Sequence, residues 1–237
     1  MKRGVFAFLL AWSFVGSAAV AEDGPPLGSR LGQREQSAVN PRNDARAVRT
    51  GHAFARCIVM KRRSAAATFL NAASLEAQQA TDRVLSRELG CNNLYTETGM
   101  DGRRVVFPSD IYRGMLAEAL IAHDAQFEAL PTLERQPGYT RVWFAFTGRP
   151  KVVDEMATCV AETGPAQVRT LLASTPESPE ERMAMQAIGS FLGPCLRAGA
   201  TLTSNRQSLR AALAEAYYHR LYAPAEPSVA PEGVVVR

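Results

Sequence analysis

Apolar residues recur along this chain at the three- to four-residue spacing of helices that bury one face. Phe54, Cys57 and Ile58 fall at i, i+3 and i+4, and Val153, Met156 and Val160 mark a matching stripe further on. Ala66, Phe69 and Leu70 correspond without a gap to Val168, Leu171 and Leu172 when each set is counted from its own cysteine, Cys57 or Cys159. Leu85 and Leu89 lead to Cys91, as Ile188 and Leu192 lead to Cys195. Tyr112, Leu116 and Leu120 then match Leu209, Leu213 and Tyr217 at four-residue steps. These stripes predict four helices in each of two segments. The expected fold is mainly α, a tandem duplication of a four-helix unit.

The last helix of each segment carries the same motif, Arg113-x-x-Leu116-Ala117-Glu118-Ala119 and Arg210-x-x-Leu213-Ala214-Glu215-Ala216. Ser178 as N-cap, Pro179 at the first helical position and Glu181 three residues after the cap mark a helix start. Pro131 and Pro224 close the two long helices. Between the segments, Tyr139 to Phe146 is aromatic and bounded by Pro137-Gly138 and Gly148, which predicts a short β-like connector. Asp101-Gly102 ahead of Val105-Val106-Phe107 suggests a small hairpin. The expected organisation is a leader over 1–21, a disordered spacer over 22–43, a helical unit over 44–130, the connector over 131–151, a second helical unit over 152–222 and a loose tail over 223–237.

The first residues change how the rest is read. Lys2 and Arg3 precede an apolar run from Val5 to Val15, and Ala19-Val20-Ala21 has the small-x-small pattern of a cleavage site. This is the pattern of a secretory signal peptide cut after Ala21, and it places the protein in the periplasm or outside the cell. The four cysteines, Cys57, Cys91, Cys159 and Cys195, are then expected to form two disulfides. Three connectivities are possible, and the repeat favours Cys57–Cys91 with Cys159–Cys195. Each bridge would close a loop of about 35 residues, worth roughly 3–4 kcal/mol in the chain-entropy description. The whole chain has 27 Lys and Arg against 23 Asp and Glu. Without Lys2 and Arg3 the mature chain is only slightly basic, too little to steer it towards nucleic acid or an anionic bilayer.

With its ordered pairs of cysteines from Cys57 to Leu120 and Cys159 to Tyr222, the chain resembles exported bacterial proteins built from cysteine-paired helical units. That resemblance implies an architecture and a compartment but no activity.

No Walker loop, nucleophile elbow, dinucleotide fingerprint, His-Glu-x-x-His or Cys-x-x-Cys is present. The cysteines therefore read as structural, and no metal or cofactor is expected. Among acids, Glu118 and Glu215 are the candidates, because both segments repeat them. If the units met about a pseudo-twofold axis, the carboxylates would converge as acid–base hydrolysis requires; otherwise each is solvated or paired with an arginine of its own unit. Glu215 and His219, four residues apart, suit a surface ion pair, while His52 and His123 have no evident partner. Lys61, Arg62 and Arg63, with Arg46, Arg49 and Arg56 upstream, form a basic cluster suited to a solvated helix end or an anionic partner. Trp143, Phe144 and Phe146 suit either a ligand groove or the core where two units meet.

The functional expectation is a non-enzymatic envelope binding or interaction protein. Its partner would be a protein, a polymer or a lipid rather than nucleic acid, and no segment beyond the leader is apolar enough to span a membrane. Two other classes follow from the same residues. One is an envelope hydrolase using Glu118 or Glu215. The other is a carrier of lipid or another apolar ligand, with Trp143, Phe144 and last-helix leucines lining a cavity.

Overall fold

The computed structural model describes residues 41–88, 90–91, 107–124, 130–202 and 204–222, with side chains from 45 onward. The leader, the spacer up to residue 40, the Asp101-Gly102 hairpin up to residue 106 and the tail lie outside the described residues. Seven α-helices are described: α1 Pro41–Leu70, α2 Leu75–Ser86, α3 Ser109–His123, α4 Lys151–Thr163, α5 Pro165–Ala173, α6 Pro179–Cys195 and α7 Arg206–Tyr222. The predicted stripes are the buried ones. Ile58, Leu70, Leu85, Leu116, Met156, Val168, Leu171, Ile188, Leu213 and Tyr217 are all fully removed from solvent. Burial of this apolar surface is what holds the helices together.

The sequence predicts two successive helices here, one carrying Cys57 and a shorter one carrying Ala66 to Leu70, and α1 is two helical segments joined at a kink. Arg62 leaves helical torsions (φ −138°, ψ 40°), and α1 resumes beyond it. The break between α4 and α5 has almost the same shape: Gly164 adopts φ −132°, ψ 49°, and Pro165 opens α5. Arg62 is the fifth residue after Cys57, and Gly164 the fifth after Cys159. Serine side chains cap α2 and α6 alike. Ser74 Oγ accepts from Ala77 N at 3.1 Å, and Ser178 Oγ accepts from Glu181 N at 3.2 Å. Each cap satisfies a donor that the first turn leaves without an intrahelical acceptor.

The centre of the molecule is the contact between α3 and α7. Helix α1 covers α3, α4 covers α7, α2 lies on α1, and α6 lies on α4 and α5. Gly114 makes the central contact possible: a Cβ there would stand 2.2 Å from the Cα of Ala211. The bridges are Cys57–Cys91 and Cys159–Cys195, with Cα separations of 5.7 and 5.5 Å. The first ties α1 to the helical residues 90–91, and the second ties α4 to the end of α6.

The connector is where the expected fold is wrong. No strand occurs among the described residues. The aromatic stretch instead forms a single 3-10 turn, Val142–Phe146, preceded by extended chain. Aromatic and β-branched residues favour strands only where a neighbouring strand completes the ladder, and none stands beside these residues. Side-chain and main-chain bonds fix the segment instead. Leu133 N donates to Glu162 O at 2.9 Å, and Gln78 Nε2 to Phe146 O at 2.9 Å.

Candidate functional site

The repeated Arg and Glu of the last helices meet at the α3–α7 contact, and they pair crosswise. Arg113 on α3 donates to Glu215 Oε1 on α7, from Nε at 2.8 Å and from Nη2 at 2.5 Å. Arg210 on α7 forks onto Glu118 of α3, with Nε to Oε2 and Nη2 to Oε1 both at 2.8 Å. The reciprocity extends outward. Arg113 Nη2 also donates to the carbonyl of Leu70 at 3.0 Å, where α1 ends. Arg210 Nη2 donates to the carbonyls of Leu172 and Ser174, where α5 ends. Neither carboxylate is paired with an arginine of its own helix.

Further side chains complete the cluster, and they differ on the two sides. Arg149, at the end of the connector, donates from Nη2 to Glu215 Oε2 at 2.6 Å and from Nε to Asp154 Oδ1 at 2.7 Å. Thr147 Oγ1 donates to Asp154 Oδ2 at 2.6 Å. On the other side Arg210 Nη1 donates to Glu181 Oε1 at 2.9 Å, and His52 Nδ1 lies 3.4 Å from Glu118 Oε1. The two acids are therefore charged despite their burial. Burial alone pushes Glu118 up, but His52 and Arg210 together bring it down to about 2. Glu215 is pushed up by burial and pulled well below the ordinary carboxylate range by Arg149 and Arg113. For Asp154 the balance reverses: burial raises it to about 6 against the pull of Arg149 and Thr147.

Chemically this is a brace. Glu215 is 0% exposed, and both of its oxygens are occupied by guanidinium groups. Glu118 borders a cavity, but its oxygens are occupied by Arg210 in the same way. A general acid or base must exchange a proton at its task, and carboxylates held ionised by forked arginines are poorly placed for it.

The larger concavity lies elsewhere. A cavity of about 660 Å³ opens between the connector, α4, α7 and the chain leaving α1. Trp143 forms one wall, with its ring stacked on His219 at a centroid distance of 4.5 Å. Leu130, Leu133, Val142, Ala161 and Ala216 make the cavity predominantly apolar. Thr158, Asn71, Gln136 and the Arg141–Glu162 pair, at 3.3 Å, supply polar groups around it. Leu133 and Val142 leave 44% and 62% of their surface exposed. This volume is that of sites for small organic molecules.

The other candidate residues fall into place around these two features. Phe144 sits edge-on to Trp143, with centroids 4.5 Å apart, and packs into the core without lining the cavity. Phe146 is half-buried. The α7 residues in the cavity are Ala216, His219 and Arg220 rather than leucines. His219 is buried, not at the surface, and its Nε2 stands 3.8 Å from Glu215 Oε1, beyond hydrogen-bond reach. His123 Nδ1 lies on the surface, 2.9 Å from Asp124 Oδ1. The basic triplet is neutralised locally: Arg62 pairs with Glu88 at 2.8 Å, Lys61 approaches the same carboxylate, and Arg63 forks onto Asp124.

Sequence reasoning noted Arg113 and Arg210 only as motif positions and Glu181 only as part of a helix cap, and it overlooked Arg149 and Asp154. For Arg113 and Arg210 there was a signal. Each stands three residues before a buried leucine and seven before a second apolar anchor, so each lies on the apolar face of its helix. Nothing in spacing marks Arg149 or Asp154, which join the cluster through the connector.

Among the described residues, fold and site together define a mainly helical protein, twice braced by disulfides, with a charged core and a large, mostly apolar cleft. No family model, no curated protein and no solved structure matches the chain.

Proposed function

We propose that this chain is an exported cell-envelope binding protein that holds a small, largely apolar ligand in the cleft beside Trp143. The observation that carries the proposal is the 660 Å³ cavity walled by the stacked Trp143–His219 pair and rimmed by exposed Leu133 and Val142. An aromatic wall offers a large rigid surface at little entropic cost, and the few polar groups around it would orient a bound molecule. Export accords with the leader pattern and with two disulfides, which persist in oxidising compartments. A hydrolase reading has less support, since both repeated carboxylates are fully engaged by arginines.

The reading includes a tandem origin for the two halves. It is supported by the matched breaks at Arg62 and Gly164, by the two serine caps and by the crossed Arg–Glu pairs. In this view each half inherited one arginine and one glutamate, and the α3–α7 contact joins them reciprocally.

The test uses the tryptophan itself. The chain has two, Trp12 and Trp143, so cleavage after Ala21 leaves Trp143 as the sole tryptophan, whose emission is read by excitation to the red of tyrosine absorption. Titrating the mature protein with long-chain fatty acids and with lipid extracted from the envelope should shift its emission saturably. Emission unmoved by either, in folded protein, would remove the basis for the proposal.

A further inference from the structure

Arg49, His52 and Arg56 fall at i, i+3 and i+7 of α1 and so share one face of that helix. They form one wall of a second cavity, of about 400 Å³, across which the chain leaving α5 runs from Leu172 to Pro176. Arg49 and Arg56 are exposed, and neither has a carboxylate partner among the described residues. That sets them apart from Arg62 and Arg63 further along the same helix, which Glu88 and Asp124 neutralise. The one acid on the cavity lining is Glu118. Its oxygens already receive the fork of Arg210, with His52 3.4 Å away, so its charge is balanced in place.

We propose that this cavity is an anion site for a phosphomonoester, read by Arg49 and Arg56 with His52 between them. A phosphomonoester carries a charge of roughly −1.5 to −2 near neutral pH, which two guanidinium groups match. Their planar forks fit phosphate oxygens with paired hydrogen bonds. Met115, Ala119, Ala122 and Leu172 line the rest of the cavity, leaving apolar room for a short organic group beside the phosphate. A monovalent carboxylate would use only half of this charge. The site shares no residue with the Trp143 cleft, so each proposal stands or fails alone.

Two probes separate the sources of such a group. The mature protein would be titrated with glycerol 3-phosphate by calorimetry and sedimented with vesicles containing phosphatidic acid. Binding of the soluble ester assigns the site to a free organic phosphate. Binding to the vesicles alone assigns it to a lipid headgroup. In either case Arg49→Gln with Arg56→Gln should weaken binding by about tenfold or more, because two charge-assisted contacts are lost. Arg62→Gln with Arg63→Gln, which changes the same number of charges on the same helix, should alter it by no more than about twofold. All four arginines are exposed, so circular dichroism should show folded protein throughout. Binding of neither probe, or equal weakening in both double variants, overturns the proposal.

Discussion

Arg113 and Arg210 show how a single residue type can be misread when only its neighbours in sequence are considered. An arginine beside alanines and leucines reads as a surface residue of an amphipathic helix, yet both are buried and shared between carboxylates and the carbonyl ends of other helices. Taking one partner from a buried ion pair strands the other, at a cost of about 3–5 kcal/mol. Arg113→Met and Arg210→Met should each lower stability by that order in urea denaturation, whereas Arg62→Met, on an exposed pair, should leave the unfolding midpoint almost unmoved. Equal effects at buried and exposed positions would contradict the brace.

The same residues fix the response to acid. Glu118 sits near 2 in the folded chain and at its ordinary 4.5 once unfolded. The unfolded chain therefore binds the extra proton between those values. This group's contribution is complete above about pH 4.5 and is lost as pH falls towards 2. Asp154 acts in the opposite sense: raised from 3.8 to about 6, it keeps a proton in the folded chain and gives one up on unfolding, so stability falls as pH rises across that window. Unfolding midpoints measured from pH 2 to 7 should show a flatter acid limb in Glu118→Gln. Relative to the parent, Asp154→Asn should gain stability between about pH 4 and 6.

At the scale of the element, helix positions were legible because the stripes that predict them are the ones that pack. The start of α6 was legible down to its capping serine, and Ser178→Ala should cost about 1 kcal/mol in thermal or chemical denaturation. Less legible was how elements join. The kink at Arg62 leaves no mark in composition, and its counterpart at Gly164 is signalled only by the glycine and the proline that follows. The connector misled because its residues favour strands in isolation, while tertiary bonds from Gln78, Glu162 and Asp154 hold it as a 3-10 turn and extended chain. The approach of α3 to α7 depends on Gly114, which no periodicity distinguishes from a helix flaw. Gly114→Ala, usually stabilising in an exposed helix by about 1 kcal/mol, should here destabilise by about 1–3 kcal/mol through overpacking against the Ala211 backbone.

For the molecule as a whole, the cysteine pattern carried the most information. Nearly equal spacing in two similar segments, 34 and 36 residues, led to the pairing that the structure shows, and the pairing in turn fixes which helices must be neighbours. Replacing Cys159 and Cys195 by serine should cost about 2–5 kcal/mol, measured as the shift in unfolding midpoint. The cleft was less readable. Trp143 was a candidate from composition, but its walls come from α4, α7, the connector and the chain after α1, residues far apart in sequence. Only the packing of α4, α7 and the connector beside the end of α1 brings them together, and no stripe in the sequence records it.

The ligand cleft is the central claim, and native mass spectrometry of protein purified without denaturation from the cells that make it tests it most directly. The account predicts a bound small molecule, released by organic solvent, that is absent when exposed Leu133 and Val142 at the rim are both changed to glutamate. Protein that carries no adduct, or an adduct retained unchanged in that variant, would contradict it.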